Sequence, residues 1–470
     1  MATIKESCCG SAGCRSKLVP GSHNMMSSGL RTFALAFLLG GWSAVAAGAE
    51  PVPSLASLNS DLARLTLRQA EIFFVERNRE VQAGQRLVEG AQADRLSAAA
   101  RPNPNVFLNA TQIGNVYPQG YDSSRIDRRA DITIGINQTF ERGGKRELRI
   151  GVADNNVRAS RGDYADIQRQ QKVALYAAYY DLVAAQEKLR ISTETAESFQ
   201  KTIAAVELRL KSGDIARSEV ARIRVDALRA QNDARSAQAE REKAQTALAY
   251  VIGAEREAAR INAVDGWPDV GAAPAAFEID QALAGRADVQ AAQARMAAAE
   301  KSRELARALR TRDVTATAQF DRTPWNPLAN PTSANTLGVG ISFPLFTNNY
   351  FEGEIRRAEV EFDTARDNFE RVRALAQGEI VNSRADLEAA QERVQRFRNE
   401  LLLEAQRAAD GAEFAYSKGA IGVLDLLDAR RQLYATRLEA SSTVADYAKS
   451  LAAWRAAIAV VEIEPVTGKK

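Results

Sequence analysis

Tyr416-Ser417-Lys418-Gly419-Ala420-Ile421-Gly422-Val423-Leu424-Asp425-Leu426-Leu427-Asp428 decides how this chain is read, because a weaker copy of its first half stands 206 residues earlier as Leu210-Lys211-Ser212-Gly213-Asp214-Ile215. The correspondence continues outward. Val81-Gln82-Ala83-Gly84-Gln85 answers Val289-Gln290-Ala291-Ala292-Gln293, and Gly135-Ile136 answers Gly340-Ile341. A period of about 200 residues is too long for a solenoid, so the chain reads as two similar halves of one architecture. Repeat 1 is expected over 65–252 and repeat 2 over 277–460, joined by a linker over 253–276 that contains Gly266-Trp267-Pro268.

Each half has the same expected order: helix, strand, strand, very long helix, tight turn, helix. The first helix of repeat 1, 66–99, ends before Arg101-Pro102-Asn103-Pro104, because proline removes a donor and disfavours helix in the residue before it. Strands are expected at 106–113 and 131–140, and again at 313–320 and 336–346. In the second strand Ile132, Ile134, Ile136 and Phe140 alternate with Thr133, Gly135, Asn137 and Thr139. Its counterpart alternates Leu337, Val339, Ile341, Phe343 and Leu345 with Gly338, Gly340 and Ser342. Such a period of two suits either a half-buried soluble hairpin or a membrane barrel strand with its apolar face in lipid. No proline interrupts 144–210 or 350–417, and a helix of that length reaches about 100 Å. Leu175, Ala178, Leu182, Ala185 and Leu189 recur at three and four spacings, a packed coiled-coil face in either a plain coiled coil or a channel wall. Gly213 and Gly419 sit where glycine permits the left-handed backbone that ends a helix. The returning helices are expected at 218–252 and 423–460.

Composition narrows the function. Aromatic residues are 7% and charged residues 26%, in a chain rich in helix formers. A net charge of +3 gives no reason to expect a nucleic-acid partner. Residues 27–49 read as an export signal: Arg31, an apolar run from Phe33 to Leu39, then Ala47-Gly48-Ala49 as a small-x-small cleavage site. That run is shorter than the roughly 20 apolar residues of a spanning anchor. Residues 1–26 read as an upstream extension or tag, 50–64 as an N-terminal segment and 461–470 as a tail. Cys8, Cys9, Cys14 and His23 all lie in 1–26, leaving Met296 as the one thioether after the cleavage site. Soft and borderline metals are held by Cys, His or Met, and acid–base or nucleophilic catalysis leans most often on His, Cys or an activated Ser. Neither a metal site nor a cofactor nor an enzyme active site is therefore expected.

The doubled order of elements, and above all Tyr416-Ser417-Lys418-Gly419 followed by Val423-Leu424-Asp425-Leu426-Leu427-Asp428-Ala429, resembles the TolC family of outer-membrane efflux channels over about residues 60–462. Glu141-Arg142-Gly143-Gly144-Lys145-Arg146 resembles the heavy-metal branch, the cobalt-zinc-cadmium and nickel-cobalt resistance systems. The resemblance implies a mainly α protein with a small membrane β-barrel: a homotrimer whose chains close a twelve-stranded β-barrel in outer-membrane lipid, continued by a long α-helical barrel through the periplasm. Three copies remove the open sheet edges that lipid does not tolerate. It also implies an exit duct fed through a periplasmic adaptor (membrane fusion protein) by an inner-membrane pump of the resistance-nodulation-division type, exporting cobalt, nickel, zinc or cadmium, or alternatively drugs or other organic substrates. A periplasmic coiled-coil structural or adaptor protein is the competing reading.

By the same resemblance Asp425 and Asp428 ring the periplasmic gate, while Tyr416, Ser218 and Glu219 tether neighbouring hairpins in the closed state. The alternative for these residues is a solvated helix start, which the helix dipole also favours for carboxylates. Gly213, Asp214, Ile215 and Gly419, Ala420, Ile421, Gly422, Val423 are the expected adaptor contacts, although turn chemistry alone explains the glycines. The family's tethering arginine is replaced here by Ile421, so Lys418 or Arg217 is expected to hold the closed state. Repeat 1 has Leu210, Glu219 and Arg222 where repeat 2 has Tyr416, Asp425 and Asp428, which makes the second hairpin the preferred gate.

Overall fold

A computed structural model describes residues 62–111, 113, 130–271, 278–323 and 334–458. The expected tag, signal, most of the N-terminal segment, most of the loop between the first two strands and the tail lie outside the described residues. The described residues all belong to the unit Ser54–Lys470.

The elements are α1 (Leu67–Arg77), α2 (Arg79–Ala99), β1 (Asn105–Thr111), β2 (Asp131–Phe140), α3 (Lys145–Lys211), α4 (Arg217–Ile252), α5 (Ile279–Gly285), α6 (Ala287–Ala308), β3 (Val314–Thr323), β4 (Ala334–Ser342), α7 (Glu352–Arg396), α8 (Leu402–Ser417) and α9 (Val423–Ala457). Three expectations need correction. The helix expected over 66–99 is two, because the buried Asn78 caps α2 by accepting from Val81 N (3.0 Å) while its amide donates to Val251 O (3.0 Å). The strand expected to 346 ends at Ser342, so Phe343 and Leu345 lie beyond it; Pro344 has no N–H to continue a ladder. The rod expected over 350–417 contains a π turn, Phe397–Leu401, closed by Leu402 N bonding to Phe397 O. Ahead of it Ala376, Ile380, Ser383, Leu387, Ala390, Val394 and Phe397 form a buried stripe at alternating four and three spacings, and the extra residue of a π turn rotates that stripe.

The four strands form one antiparallel sheet in chain order, with β1 and β4 at its edges. Register places Val106, Ile136, Ala318 and Val339 in one row and Leu108, Ile134, Phe320 and Leu337 in another on the same face. That face is bare in the single chain: Leu337 is 79% exposed and Val339 84%. The other face is polar and bonded across strands, Thr133 Oγ1 to Asp321 (2.6 Å), Thr317 Oγ1 to Asn137 Oδ1 (2.7 Å) and Thr139 to Thr315 (3.0 Å). The sheet is thus apolar on one side and wet on the other.

Residues of the Glu141–Arg146 stretch join the sheet to the helices. The buried Lys145 Nζ bonds Thr311 O (2.8 Å) and both Asp313 carboxylate oxygens (2.9 Å), Arg142 N donates to Asp313 (2.9 Å), and Arg146 Nε donates to Ala99 O (2.7 Å). These bonds clamp the β2–α3 turn to the α6–β3 turn and to the end of α2.

The helices pack through small residues and three apolar clusters. A Cβ on Gly162 of α3 would lie 2.8 Å from Ala291 Cβ and 2.9 Å from Ala287 O, so α3 and α6 meet there as only glycine allows. One cluster joins α1, α3 and α4 to the stretch after α4, where Leu65 pairs with Ala263 and Tyr179 Oη donates to Leu65 O (3.0 Å). A second joins α5, α6, α7 and α9. Beside it Arg286, 1% exposed, donates to Asp288 (2.7 Å), Glu379 (2.6 Å) and Ala457 O (3.2 Å), and Arg169 of α3 reaches the same Glu379 (3.0 Å). Burial alone would raise the Asp288 and Glu379 carboxyls, but these guanidinium groups outweigh it and hold both below the ordinary carboxylate range. The lock ties repeat 1 to repeat 2. The third cluster forms the tips.

Candidate functional site: the paired hairpin tips

Both tips are built by the same backbone device. Gly213 (φ 82°) and Gly419 (φ 72°) each follow a helix in the left-handed region. Asp214 N bonds back to Arg209 O and Ala420 N to Ala415 O, both at 2.9 Å, with the inner bonds Gly213 N to Leu210 O (3.1 Å) and Gly419 N to Tyr416 O (3.0 Å). This is the Schellman pattern of a helix that stops and reverses. The next helices start at Arg217 and Val423 with no side-chain cap.

The two tips share one core. Phe199 and Val206 of α3, Val220, Ile223 and Ala227 of α4, and Val423 and Leu427 of α9 form one buried cluster, with Leu210, Ile215 and Tyr416 packed against it. Val423, expected as an adaptor contact, is only 4% exposed and serves this core. Ile215 and Ile421 are half-buried, and Gly213, Asp214, Gly419, Ala420 and Gly422 are exposed. Burial of Val423, Leu426 and Leu427 turns Asp425 and Asp428, three residues apart, outward together as exposed carboxylates.

Polar contacts then distinguish the aspartates. Among the described residues Asp425 has no ion pair or side-chain hydrogen bond, whereas Asp428 Oδ1 accepts from Arg431 Nη1 (2.7 Å). The same guanidinium donates through Nη2 to Asp226 Oδ2 of α4 (2.7 Å). Tyr416 Oη accepts from Arg209 Nη1 (3.1 Å), with that guanidinium 5.6 Å from the ring centre. Within the chain Tyr416 is therefore paired with Arg209, and the side chains of Ser218, exposed, and Glu219, half-buried, make no hydrogen bond or ion pair among the described residues. Lys418 lies over the ring of Phe414 on its own helix (5.5 Å) and Arg217 has no ion pair among the described residues. Among the described residues, polar links that join the two hairpins here include Arg209–Tyr416, Arg431–Asp226 and Arg430 Nη1 donating to Thr202 Oγ1 (2.7 Å). Arg431 was legible as a helical partner of Asp428 three residues on; Asp226 and Arg209 carried no local signal, since their partners lie about 200 residues away in the chain.

Among the described residues no group of three or more His, Cys, Asp or Glu side chains could hold a metal ion, and no helix is long and apolar enough to cross a membrane. The tips offer carboxylates, guanidinium groups and turn backbone, which suits attraction and docking of other molecules.

The two halves match one protein family separately, over residues 74–254 and 279–460, and that family is described as outer membrane efflux protein. This chain belongs to it. Outer membrane efflux proteins are channels with this two-repeat design, and the chain resides in the outer membrane and extends into the periplasm. It is 23% identical over 383 residues to the cobalt-zinc-cadmium resistance protein CzcC of Cupriavidus metallidurans, a match covering 80% of this chain and 85% of that one. It is 24% identical over 369 residues to the pyoverdine export outer membrane protein OpmQ of Pseudomonas aeruginosa, covering 74% and 76%. The crystal structure of the Campylobacter jejuni CmeC outer membrane channel superposes with a TM-score of 0.71 at 15% identity, covering 90% of this chain and 93% of that chain. In this outer membrane efflux protein the sheet, bare and apolar on one face and polar and bonded on the other, has the two-sided pattern of membrane barrel strands.

Proposed function

We propose that this outer membrane efflux protein is the exit duct of a tripartite machine, working as a homotrimer joined through a periplasmic adaptor to an inner-membrane pump of the resistance-nodulation-division type, and that its cargo is heavy-metal cations such as cobalt, nickel, zinc or cadmium. The observation that carries it is the four-stranded sheet with a bare apolar face and two open edges on helices about 100 Å long. Lipid does not tolerate open edges, and copies of the chain around an axis close them. The duct performs no reaction; it conducts. Asp425 and Asp428 would stand at the periplasmic constriction, where a ring of carboxylates favours cations. The exposed turns at Gly213–Asp214 and Gly419–Gly422 would meet the adaptor.

The cargo reading rests on the Glu141–Arg146 stretch and on what CzcC is named for, whereas the name of OpmQ keeps organic cargo as the second reading. Deleting the gene in cells that keep the adaptor and pump should sensitise them to cobalt, zinc or cadmium, with tolerance restored by the full-length protein. Unchanged metal tolerance with new sensitivity to organic compounds would move the cargo to the second reading. A purified protein that is monomeric and soluble without detergent would remove the duct itself.

A further inference from the structure

The two aspartates of the second tip are not electrostatically equivalent. Asp425 is exposed and unpaired among the described residues, and Asp428 is held 2.7 Å from Arg431. An exposed pair of this kind is ordinarily weak, because both side chains remain free to leave. Arg431 is not free. Its other nitrogen is 2.7 Å from Asp226, whose side chain is only 7% exposed. A carboxylate that buried needs a partner, since its desolvation is offset only by an opposite charge and hydrogen bonds. The other cation within reach, Arg229, is 3.9 Å away with a side chain 74% exposed. Asp226 therefore anchors Arg431 from repeat 1, and the anchored guanidinium presents its second nitrogen to Asp428 of repeat 2. An ion pair is felt as a dipole whose field falls off faster than that of a lone charge. At the distance of a passing ion, Asp425 acts as a lone charge, whereas Asp428 belongs to a cluster of two carboxylates, Asp226 and Asp428, and two guanidinium groups, Arg229 and Arg431, whose charges sum to zero.

We infer that the cation preference of this constriction resides on Asp425, with Asp428 screened by Arg431 and the screening residue held in place by Asp226. The inference rests on the reading of the tips as the constriction, so each chain contributes one effective carboxylate there instead of two. Arg431 is a positioning and screening residue. Its removal should make the opening more cation-selective, because it uncovers Asp428.

Reversal potentials across planar bilayers holding the full-length protein in a potassium chloride gradient, with cobalt ion as a blocker, test this. Asp425→Asn should lower the cation-over-anion permeability ratio about twofold or more and weaken cobalt block, given the effect of a charge ring on permeation. Asp428→Asn alone should produce less than half that change. Arg431→Gln should raise the ratio above wild type, and in that background Asp428→Asn should act as strongly as Asp425→Asn. Arg431→Lys, which keeps the charge, should restore the small Asp428→Asn effect. Equal effects of Asp425→Asn and Asp428→Asn in the wild-type background would overturn the inference and leave the constriction intact. No change from either single variant or from the two together would overturn the constriction reading and the inference with it. The wild-type-background comparison decides even if Arg431→Gln does not assemble.

Discussion

At the first tip Gly213 ends α3 with φ 82°, and at the second Gly419 ends α8 with φ 72°, each under the same pair of back-bonds. Yet the side chains that follow differ in kind. The first tip contributes Ile215, Val220 and Ile223 to the shared core and the buried Asp226 to its edge; the second contributes Val423 and Leu427 to the core and presents Asp425 and Asp428 to solvent. Duplication preserved the backbone, because a Schellman turn needs only glycine at one position. Side-chain chemistry was free to diverge, and it divided into an anchoring tip and a charged one.

The strongest way to break this comparison is at Leu427, fully buried between the tips, whose counterpart 206 residues earlier is the exposed Ala221. Leu427→Ala should destabilise the tip by about 2–5 kcal/mol, seen as faster tryptic cleavage at Lys211 and Lys418, while Ala221→Leu should stay within about 0.5 kcal/mol. Equal responses would mean that the tips do not share a core. Next come the turns. A Cβ at Gly213 or Gly419 would meet no atom within 4 Å, so each Gly→Ala change carries only the left-handed strain of about 1–2 kcal/mol. Thermal unfolding in detergent should therefore shift alike for the two variants; a marked difference would break the backbone equivalence.

Smaller still is the bridge between tips. Tyr416→Phe removes the bond from Arg209 but leaves the ring under the guanidinium, so the loss should be about 0.5–1 kcal/mol. Arg209→Ala removes both and should exceed it in the same proteolysis assay. The smallest effect belongs to the Arg286 lock, the contrast to the tips. Asp288 and Glu379 have folded values below their ordinary 3.8 and 4.5. Their contribution is fully present above those ordinary values and is lost as pH falls through the lowered ones, below about pH 4. Glu379 is 46% exposed, so solvent screening keeps the effect small. Glu379→Gln should flatten the decline in unfolding temperature on acidification, and an unaltered slope would place the acid sensitivity elsewhere.

Much of this architecture was legible in residues near one another. The glycine turns, the alternation along β2 and β4 and the three-and-four stripe from Leu175 to Leu189 are short-range patterns, because helix and strand periodicities repeat within a few residues. The break at Asn78 and the π turn were not. Asn78 reads as an unremarkable helix residue until its amide meets Val251, and the π turn lies in a sequence without Gly or Pro. The candidate site divided likewise. Asp425, Asp428, Gly213 and Gly419 could be picked out by motif, whereas Arg209, Asp226 and Arg431 became visible as links only when the hairpins were brought together, and Val423 changed from surface to core.

By itself the sequence determined the two-fold repetition, the element types and the face of each strand that seeks an apolar surrounding, since those follow from local backbone preference and side-chain period. Only the tertiary structure decided which charges are paired. Asp425 and Asp428 are alike in type and three residues apart, and what separates them is one guanidinium held by a buried carboxylate 205 positions away from it, a distance that no local pattern spans and that folding reduces to 2.7 Å.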